Sequence, residues 1–109
     1  MRIRNRQMRA QNGFCYYCEQ PMWLQDINGF CRQYEIGREQ ALFLKCTAEH
    51  LIARKDGGLD TDENIVAACD YCNQARHESE EAKSPQNFMD FVRGELISGR
   101  WHGLRLRDT

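Results

Sequence analysis

The sequence predicts a small α+β domain, and three observations lead to this class. The chain has 109 residues, which is enough for one compact core and too few for two. Its six cysteines include two Cys-x-x-Cys pairs, a pattern typical of a small domain held together by a metal ion. Between these pairs, the apolar residues indicate a strand, a long loop, a second strand and a helix.

The N-terminal part is predicted to be mainly helical. Residues 2–12 form a short basic segment that ends at Gly13, as expected for a helix followed by a glycine. Residues 30–42 have a mostly helical pattern that is interrupted near Gly37. The first Cys-x-x-Cys pair lies between these two segments and is expected to form a tight turn.

The centre of the chain supplies both predicted strands. Apolar and polar residues alternate from 42 to 48 and lead into Glu49 and His50, which predicts the first strand. Residues 65–68 are a short apolar run and predict the second strand. A helix is expected over about 71–83, with Asp70 as its cap.

We expect one domain over residues 1–109, with its core over about 13–83 and a C-terminal helix and basic tail over 84–109. Ser84 and Pro85 occupy favoured positions at a helix start, and Gly99 follows the last apolar residue of the helical pattern. The last helix is therefore predicted between them.

The net charge of the chain is close to zero, but the charges are unevenly distributed. Fifteen Lys and Arg residues face 16 Asp and Glu residues, for a net charge of -1. Residues 1–10 and 93–109 each contain four arginines, whereas residues 49–83 contain nine acids and four bases. The overall charge alone argues against a nucleic-acid partner. Two basic termini on one face would nevertheless form a surface that follows phosphates.

The sequence shows no pattern for export or for membrane insertion. The longest apolar stretches, residues 41–44 and 65–69, are far shorter than a bilayer span. The early arginines are not followed by the apolar segment of a secretory signal. We therefore expect a cytoplasmic location with reduced thiols and no membrane partner.

Four cysteines have the spacing of a structural zinc site. Two residues between cysteines let both sulfurs of a tight turn bind one ion, and two such turns complete a tetrahedron. Buried thiols or redox pairs are the alternatives, although a thioredoxin-like context is missing. Cys31 and Cys46 lack metal spacing, and we interpret them as small apolar residues. The predicted zinc ligands are Cys15, Cys18, Cys69 and Cys72.

Residues 48–77 read AEHLIARKDGGLDTDENIVAACDYCNQARH. They contain an acid-histidine pair, a Gly-Gly loop and Asn64 before an apolar pair, and Asn73 directly follows the second Cys-x-x-Cys. This combination resembles the HNH endonucleases, also called ββα-metal or His-Me finger nucleases, in the branch with two Cys-x-x-Cys zinc knuckles. The resemblance covers residues 15–77.

The resemblance implies a zinc-stapled ββα-metal core with flanking N- and C-terminal helices. It also implies a metal-dependent DNA endonuclease that nicks or cuts by phosphodiester hydrolysis. A histidine general base and one divalent cation, Mg²⁺, Mn²⁺ or another ion, would act beside the structural Zn²⁺. DNA is the implied partner.

Chemical reasoning supports roles for four residues. Glu49 and Asn73 offer a carboxylate and an amide oxygen to a hard divalent cation. His50 has the right intrinsic basicity to take a proton from the attacking water, and the family uses the residue at Asn64 to orient that imidazole. Since successive strand residues face opposite ways, the strand must bend or end at Glu49 and His50.

The sequence departs from the commonest family pattern at two positions. Glu49 stands where Asp is more common, and its extra methylene alters the geometry of a bound metal. Ala53 stands where many members have proline, which affects loop stiffness. Asn73 is also used by many relatives.

Further candidates surround this motif. His77 lies four residues after Asn73 and resembles a second metal-binding histidine, although a phosphate contact or plain exposure are alternatives. Arg76, Arg54 and Lys55 are candidate nucleic-acid-binding residues. His102 has no partner that the sequence identifies.

Two other functions remain open at this point. The scaffold is also compatible with a non-catalytic zinc module that binds nucleic acid or protein. A cysteine-based redox protein is the third reading. The joint presence of the acid, the histidine and both asparagines favours the enzyme.

Overall fold

The computed structural model describes residues 1–107 and contains an α+β fold, as predicted. The elements, in chain order, are α1 (Arg2–Ala10), α2 (Ile27–Tyr34), α3 (Arg38–Leu42), β1 (Cys46–His50), a 3-10 turn (Arg54–Asp56), β2 (Ile65–Cys69), α4 (Asp70–His77) and α5 (Pro85–Ile97).

The two strands and α4 form the centre of the molecule. β1 and β2 are antiparallel, with Cys46 opposite Cys69 and His50 opposite Ile65. α1 and α4 both contact the two strands. Because α4 begins directly after β2, it runs back along the sheet toward the end of β1. This β-β-α arrangement brings the end of β1 close to Asn73 and His77 of α4.

The loop between the strands depends on its two glycines. Gly57 has a φ of +93°, in the left-handed region that favours glycine. At Gly58, an added Cβ would lie 1.7 Å from the carbonyl oxygen of Ile52, so only glycine allows this approach of the two backbones. The Gly-Gly pair therefore folds the loop back against the end of β1.

Three boundaries differ from the sequence prediction. α3 extends to Leu42, so β1 begins at Cys46 rather than within the alternating run from 42. α4 ends at His77 instead of near residue 83. Its cap is Cys69 rather than Asp70, because the Cys69 sulfur accepts the backbone N–H of Cys72. A cysteine of the metal motif thus performs the capping role expected of an aspartate.

The predicted start of the last helix is confirmed. The Ser84 hydroxyl accepts the N–H of Asn87, and Pro85 is the first helical residue. Phe88 and Val92 face the core, whereas Phe91 is 41% exposed. Within residues 1–107, no helix is both long enough and apolar enough to cross a membrane.

Candidate active site and metal centre

Glu49 is the second-last residue of β1, and its side chain is fully buried. Its Oε2 accepts hydrogen bonds from the Tyr17 hydroxyl at 2.7 Å and from the Arg76 guanidinium at 3.0 Å. Its Oε1 lies 2.7 Å from Nε2 of His77. Arg76 compensates the charge that burial would otherwise make costly. The two oxygens are therefore different: one is held by the interior, and the other faces His77.

His50 is the last residue of β1 and lies between Asp60 and Arg54. Its Nε2 is 2.7 Å from Oδ1 of Asp60 and 3.2 Å from Nε of Arg54. One ring nitrogen either donates or accepts, so Nε2 cannot satisfy both partners at once. The hydrogen bond with His50 lowers the pKa of Asp60, and Arg54 adds to this effect. Asp60 thus remains charged and favours a proton on Nε2.

The orientation of the Asn73 amide follows from its hydrogen bonds. Nδ2 donates to the carbonyl of Ala48 at 3.1 Å and to Oγ1 of Thr47 at 3.0 Å. The carbonyl can only accept, and the Thr47 hydroxyl already donates to Ala68 at 2.7 Å. The amide nitrogen must therefore face β1. Both of its protons are used there, and the amide oxygen remains as the acceptor of Asn73.

These residues line one cleft beside the end of β1. The cleft has a volume of about 410 Å³. The side chain of His77 is 32% exposed and that of His50 is 15% exposed, whereas Glu49 lies at the floor with no exposure. The lining residues are Ala48, Glu49, His50, Ala53, Arg54, Asn73 and His77. Of the residues predicted for catalysis and for the catalytic cation, the structure therefore brings together Glu49, His50, Asn73 and His77 but not Asn64.

Asn64 holds the loop rather than the imidazole. Its Oδ1 accepts the N–H of Ile52 at 2.8 Å, and its Nδ2 donates to the carbonyls of Ile52 and Leu59 at 3.0 Å each. We expected Asn64 to orient the imidazole of His50. Among the residues described, its side chain instead fixes the backbone two residues beyond His50, so any effect on the imidazole passes through the loop.

The expectation that Arg76 contacts phosphate needs correction. The residue is 6% exposed, and four of its five N–H groups are used within the chain. Besides Glu49, it donates to the carbonyls of His50, Leu51 and Lys83. The sequence suggested that Arg76 lies on the surface of the helix. In the structure its guanidinium points inward and donates to the buried Glu49 carboxylate. Arg76 positions Glu49 and the backbone at His50.

The other two basic candidates lie on the surface. Arg54 lines the cleft, and its side chain is 68% exposed while it pairs with Asp60. Lys55 donates to the carbonyl of Glu80 at 3.0 Å and lines a neighbouring pocket with Ala53 and His77. Arg54 therefore lies at the cleft, and Lys55 lies at the pocket next to it.

The four predicted zinc ligands lie together in the interior. The sulfurs of Cys15, Cys18, Cys69 and Cys72 are all within 4.8 Å of one another, and all four residues are buried. The sulfurs of Cys18 and Cys69 are 3.9 Å apart. A tetrahedron with Zn–S distances of about 2.3 Å has edges of about 3.8 Å. The cluster therefore has the size and donor set to hold Zn²⁺.

The thiol pKa values shift in opposite directions within this cluster. Burial disfavours the thiolate in each case. It raises the pKa of the Cys69 and Cys72 thiols. It also opposes ionisation of Cys15, but hydrogen bonds with the other three cysteines outweigh it and lower the pKa of Cys15. A divalent cation stabilises thiolates against burial.

Cys31 and Cys46 lie outside this cluster, as expected for small apolar residues. Cys46 is fully buried at the start of β1. Its burial raises the pKa of the thiol to about 11, so it stays protonated and apolar near neutral pH.

Sequence reasoning missed two contacts of the cleft. The hydroxyl of Tyr17 donates to Glu49, and burial together with that carboxylate raises the pKa of Tyr17. Asp60 was counted among the acids of the central segment without a role. The contact of Asp60 could have been suspected because Asp60 lies in the glycine-containing loop that follows His50. No local sequence pattern indicated the contact of Tyr17.

Comparison with known proteins agrees with this geometry. Residues 31–79 match the family model described as HNH endonuclease. Searches of curated proteins and of solved structures found no match. The matched segment contains β1, β2, α4 and the second Cys-x-x-Cys pair, and the fold adds the first pair to it. Over residues 31–79 the chain is therefore similar to the HNH endonuclease family.

Proposed function

We propose that this chain is a metal-dependent DNA endonuclease that hydrolyses phosphodiester bonds in the cleft at the end of β1. The family implies nuclease chemistry on nucleic acid. The observation that carries the proposal is the meeting of His50, Glu49 Oε1, Asn73 and His77 in one cleft. Glu49 and His50 come from the end of β1, whereas Asn73 and His77 come from α4. A shared chemical task explains their convergence.

His50 acts as the general base. When its Nε2–H donates to Asp60, the lone pair of Nδ1 is free to accept a proton from the attacking water. The charged Asp60 also stabilises the imidazolium that forms when this proton is taken. Asn64 limits movement of the loop that carries both the backbone after His50 and Asp60.

Glu49 Oε1, the Asn73 amide oxygen and His77 Nε2 would hold the catalytic divalent cation. Oxygen donors with one imidazole suit Mg²⁺, Mn²⁺ or a related ion, and that ion would supply Lewis-acid stabilisation of charge on the phosphate. The 2.7 Å distance between Glu49 Oε1 and His77 Nε2 supports this pair of ligands. Arg76 and Tyr17 keep the other carboxylate oxygen in place.

Arg54 and Lys55 are the residues proposed to contact the DNA backbone. Both belong to the exposed 3-10 turn beside the cleft, and a guanidinium at the cleft rim can bind phosphate oxygens. Arg54 would exchange its long contacts with Asp60, 3.4 Å each, for a phosphate. That exchange would leave Asp60 as the sole partner of His50 Nε2.

A nicking assay tests this function. Purified protein is incubated with supercoiled, linear and single-stranded DNA in the presence of Mg²⁺ or Mn²⁺. We expect divalent-ion-dependent cleavage that His50→Ala abolishes while zinc content stays near one ion per chain. Arg32→Ala, at an exposed position of α2, serves as the control and should cleave normally.

The alternative is a zinc module that binds nucleic acid or protein without catalysis. It predicts DNA binding with no cleavage under any divalent ion and no effect of His50→Ala. That result would refute the nuclease proposal and leave the binding module in its place.

A further inference from the structure

Two side chains from the C-terminal end of the chain reach the cysteine cluster. Trp101 Nε1 lies 3.2 Å from the sulfur of Cys72, and His102 Nε2 lies 3.4 Å from the sulfur of Cys18. An indole nitrogen can only donate. The Nδ1 of His102 accepts the N–H of Leu104 at 3.1 Å, so the proton of the neutral ring is on Nε2. Both contacts are therefore N–H donations to sulfur.

The other two sulfurs receive backbone N–H groups from the Cys-x-x-Cys segments themselves. Cys15 accepts from Tyr17 at 3.4 Å and from Cys69 at 3.2 Å. Cys69 accepts from Cys72 at 3.4 Å. Each of the four sulfurs thus has an N–H donor, and the two side-chain donors supply one sulfur of each pair.

This donor set fits a thiolate-bound ion. Four thiolates and one Zn²⁺ carry a net charge of about -2, which is costly to bury without hydrogen-bond donors. Donors to ligand atoms orient those ligands and tune the metal. Protonated thiols would gain little from an arrangement in which every sulfur accepts a bond.

The C-terminal segment is itself firmly attached beside the first Cys-x-x-Cys pair. Gln20 is fully buried; its Oε1 accepts the N–H groups of Leu106 and Arg107, and its Nε2 donates to the carbonyl of Arg107. Leu104 is buried in the core. The indole of Trp101 contacts the rings of Tyr71, Phe88 and Phe91 edge-on.

We propose that residues 101–107 form a strap that is an integral part of the zinc site. Trp101 and His102 donate to the sulfurs of Cys72 and Cys18, and Gln20 holds the strap in place. The strap retains the metal ion and limits the reactivity of both thiolates. The zinc site therefore involves three separate parts of the chain rather than the two that carry its ligands.

Zinc release from the full-length protein tests this role. Release is followed with a chromogenic chelator, and the bonding at sulfur with the thiolate-to-metal charge-transfer bands of the Co²⁺-substituted protein. Trp101→Phe keeps an aromatic ring and removes the N–H. We expect it to release zinc about tenfold faster and to shift the charge-transfer bands. His102→Phe, which removes the other donor, should act in the same direction.

Trp23→Phe is the matched control. Its Nε1 donates to the carbonyl of Ala41 at 2.7 Å, so the same substitution removes an indole N–H that touches no sulfur. Gln20→Ala tests the strap as a unit, because Gln20 contacts the strap and no sulfur in the described structure; it should also accelerate release.

Circular dichroism of each variant is measured first, so that release rates are compared between folded proteins. Equal release rates and unchanged Co²⁺ bands for Trp101→Phe and Trp23→Phe would overturn the proposal. So would a wild-type protein that binds no zinc. Because neither readout depends on cleavage, the result is independent of the nuclease activity.

Discussion

The cysteine cluster and the candidate cleft both use residues of α4 but are built in opposite ways. In the cluster all four side chains are buried, and each sulfur has an N–H donor. In the cleft only Glu49 is buried, while His50 and His77 face solvent. A structural metal site is closed, whereas a catalytic site keeps positions open for water and substrate. The closed cysteine cluster therefore suits a structural role, whereas the open cleft suits a reaction with a substrate.

Loss of a cluster ligand should have the largest effect. Cys69→Ser removes a zinc ligand and the side chain that caps α4. Because metal binding and folding are coupled in small zinc domains, we expect zinc loss and global unfolding, measured by metal analysis and circular dichroism. Cys31→Ser, outside the cluster, is the control. A metal-free but well-folded Cys69→Ser protein would contradict the structural role of zinc.

Loss of the cleft base should abolish chemistry and leave the fold intact. We expect His50→Ala to lower the cleavage rate by roughly 10²- to 10⁴-fold, the usual contribution of a general base. Thermal unfolding and zinc content should match those of the wild type, because the side chain is partly exposed at a strand end. Unchanged nicking rates would remove His50 from the mechanism.

Arg76 is buried and holds Glu49 at the floor of the cleft, so its loss should affect both stability and cleavage. Arg76→Ala leaves the buried Glu49 carboxylate without its charged partner. Breaking a buried pair in this way costs about 3–5 kcal/mol, measured by denaturant unfolding. Arg93→Ala breaks an exposed pair with Glu19 and should cost less than about 1 kcal/mol. Similar losses for the two variants would show that Arg76 is not a buried clamp.

Asp60 should have the smallest of these effects. It contacts His50 from an exposed loop position, so Asp60→Ala should reduce the rate roughly tenfold by loosening the base. Asp60→Asn keeps an acceptor oxygen and should recover part of the rate. Asp62→Ala is the matched control, because that carboxylate pairs with Arg6 instead. Equal rates for Asp60→Ala and Asp62→Ala would contradict a positioning role.

Much of the architecture followed from spacing along the chain. Two Cys-x-x-Cys turns bind one ion only if the chain returns to its starting point, so the zinc cluster and the strand–loop–strand–helix segment were predicted together. Glu49, His50, Asn73 and His77 are close in sequence to the strand end or on one face of α4, and local geometry already brings them toward one another. The element boundaries were less certain because Cys69, a metal-motif residue, caps α4.

The partners of these side chains were not predictable from spacing. Arg76 looked like a phosphate-binding residue, and His102 had no assigned role. The burial of Glu49 explains the position of Arg76, because a buried carboxylate requires a positive partner and Arg76 is within reach. The return of residues 101–107 to the first Cys-x-x-Cys pair explains the contact of His102 with Cys18.

By itself, the sequence determined the similarity to the HNH endonucleases, the α+β class, the four cysteines of the candidate metal cluster and four residues of the candidate cleft. All of these depend on residue types at short, regular separations, where backbone geometry leaves few alternatives. The tertiary structure alone decided that Arg76 points inward, that Asp60 pairs with His50 and that Trp101 and His102 reach the cluster. The contacts of Arg76, Trp101 and His102 join segments far apart in the chain, and only the packing of the core brings them within hydrogen-bond distance. The contact of Asp60 with His50 depends on how the loop between them folds back.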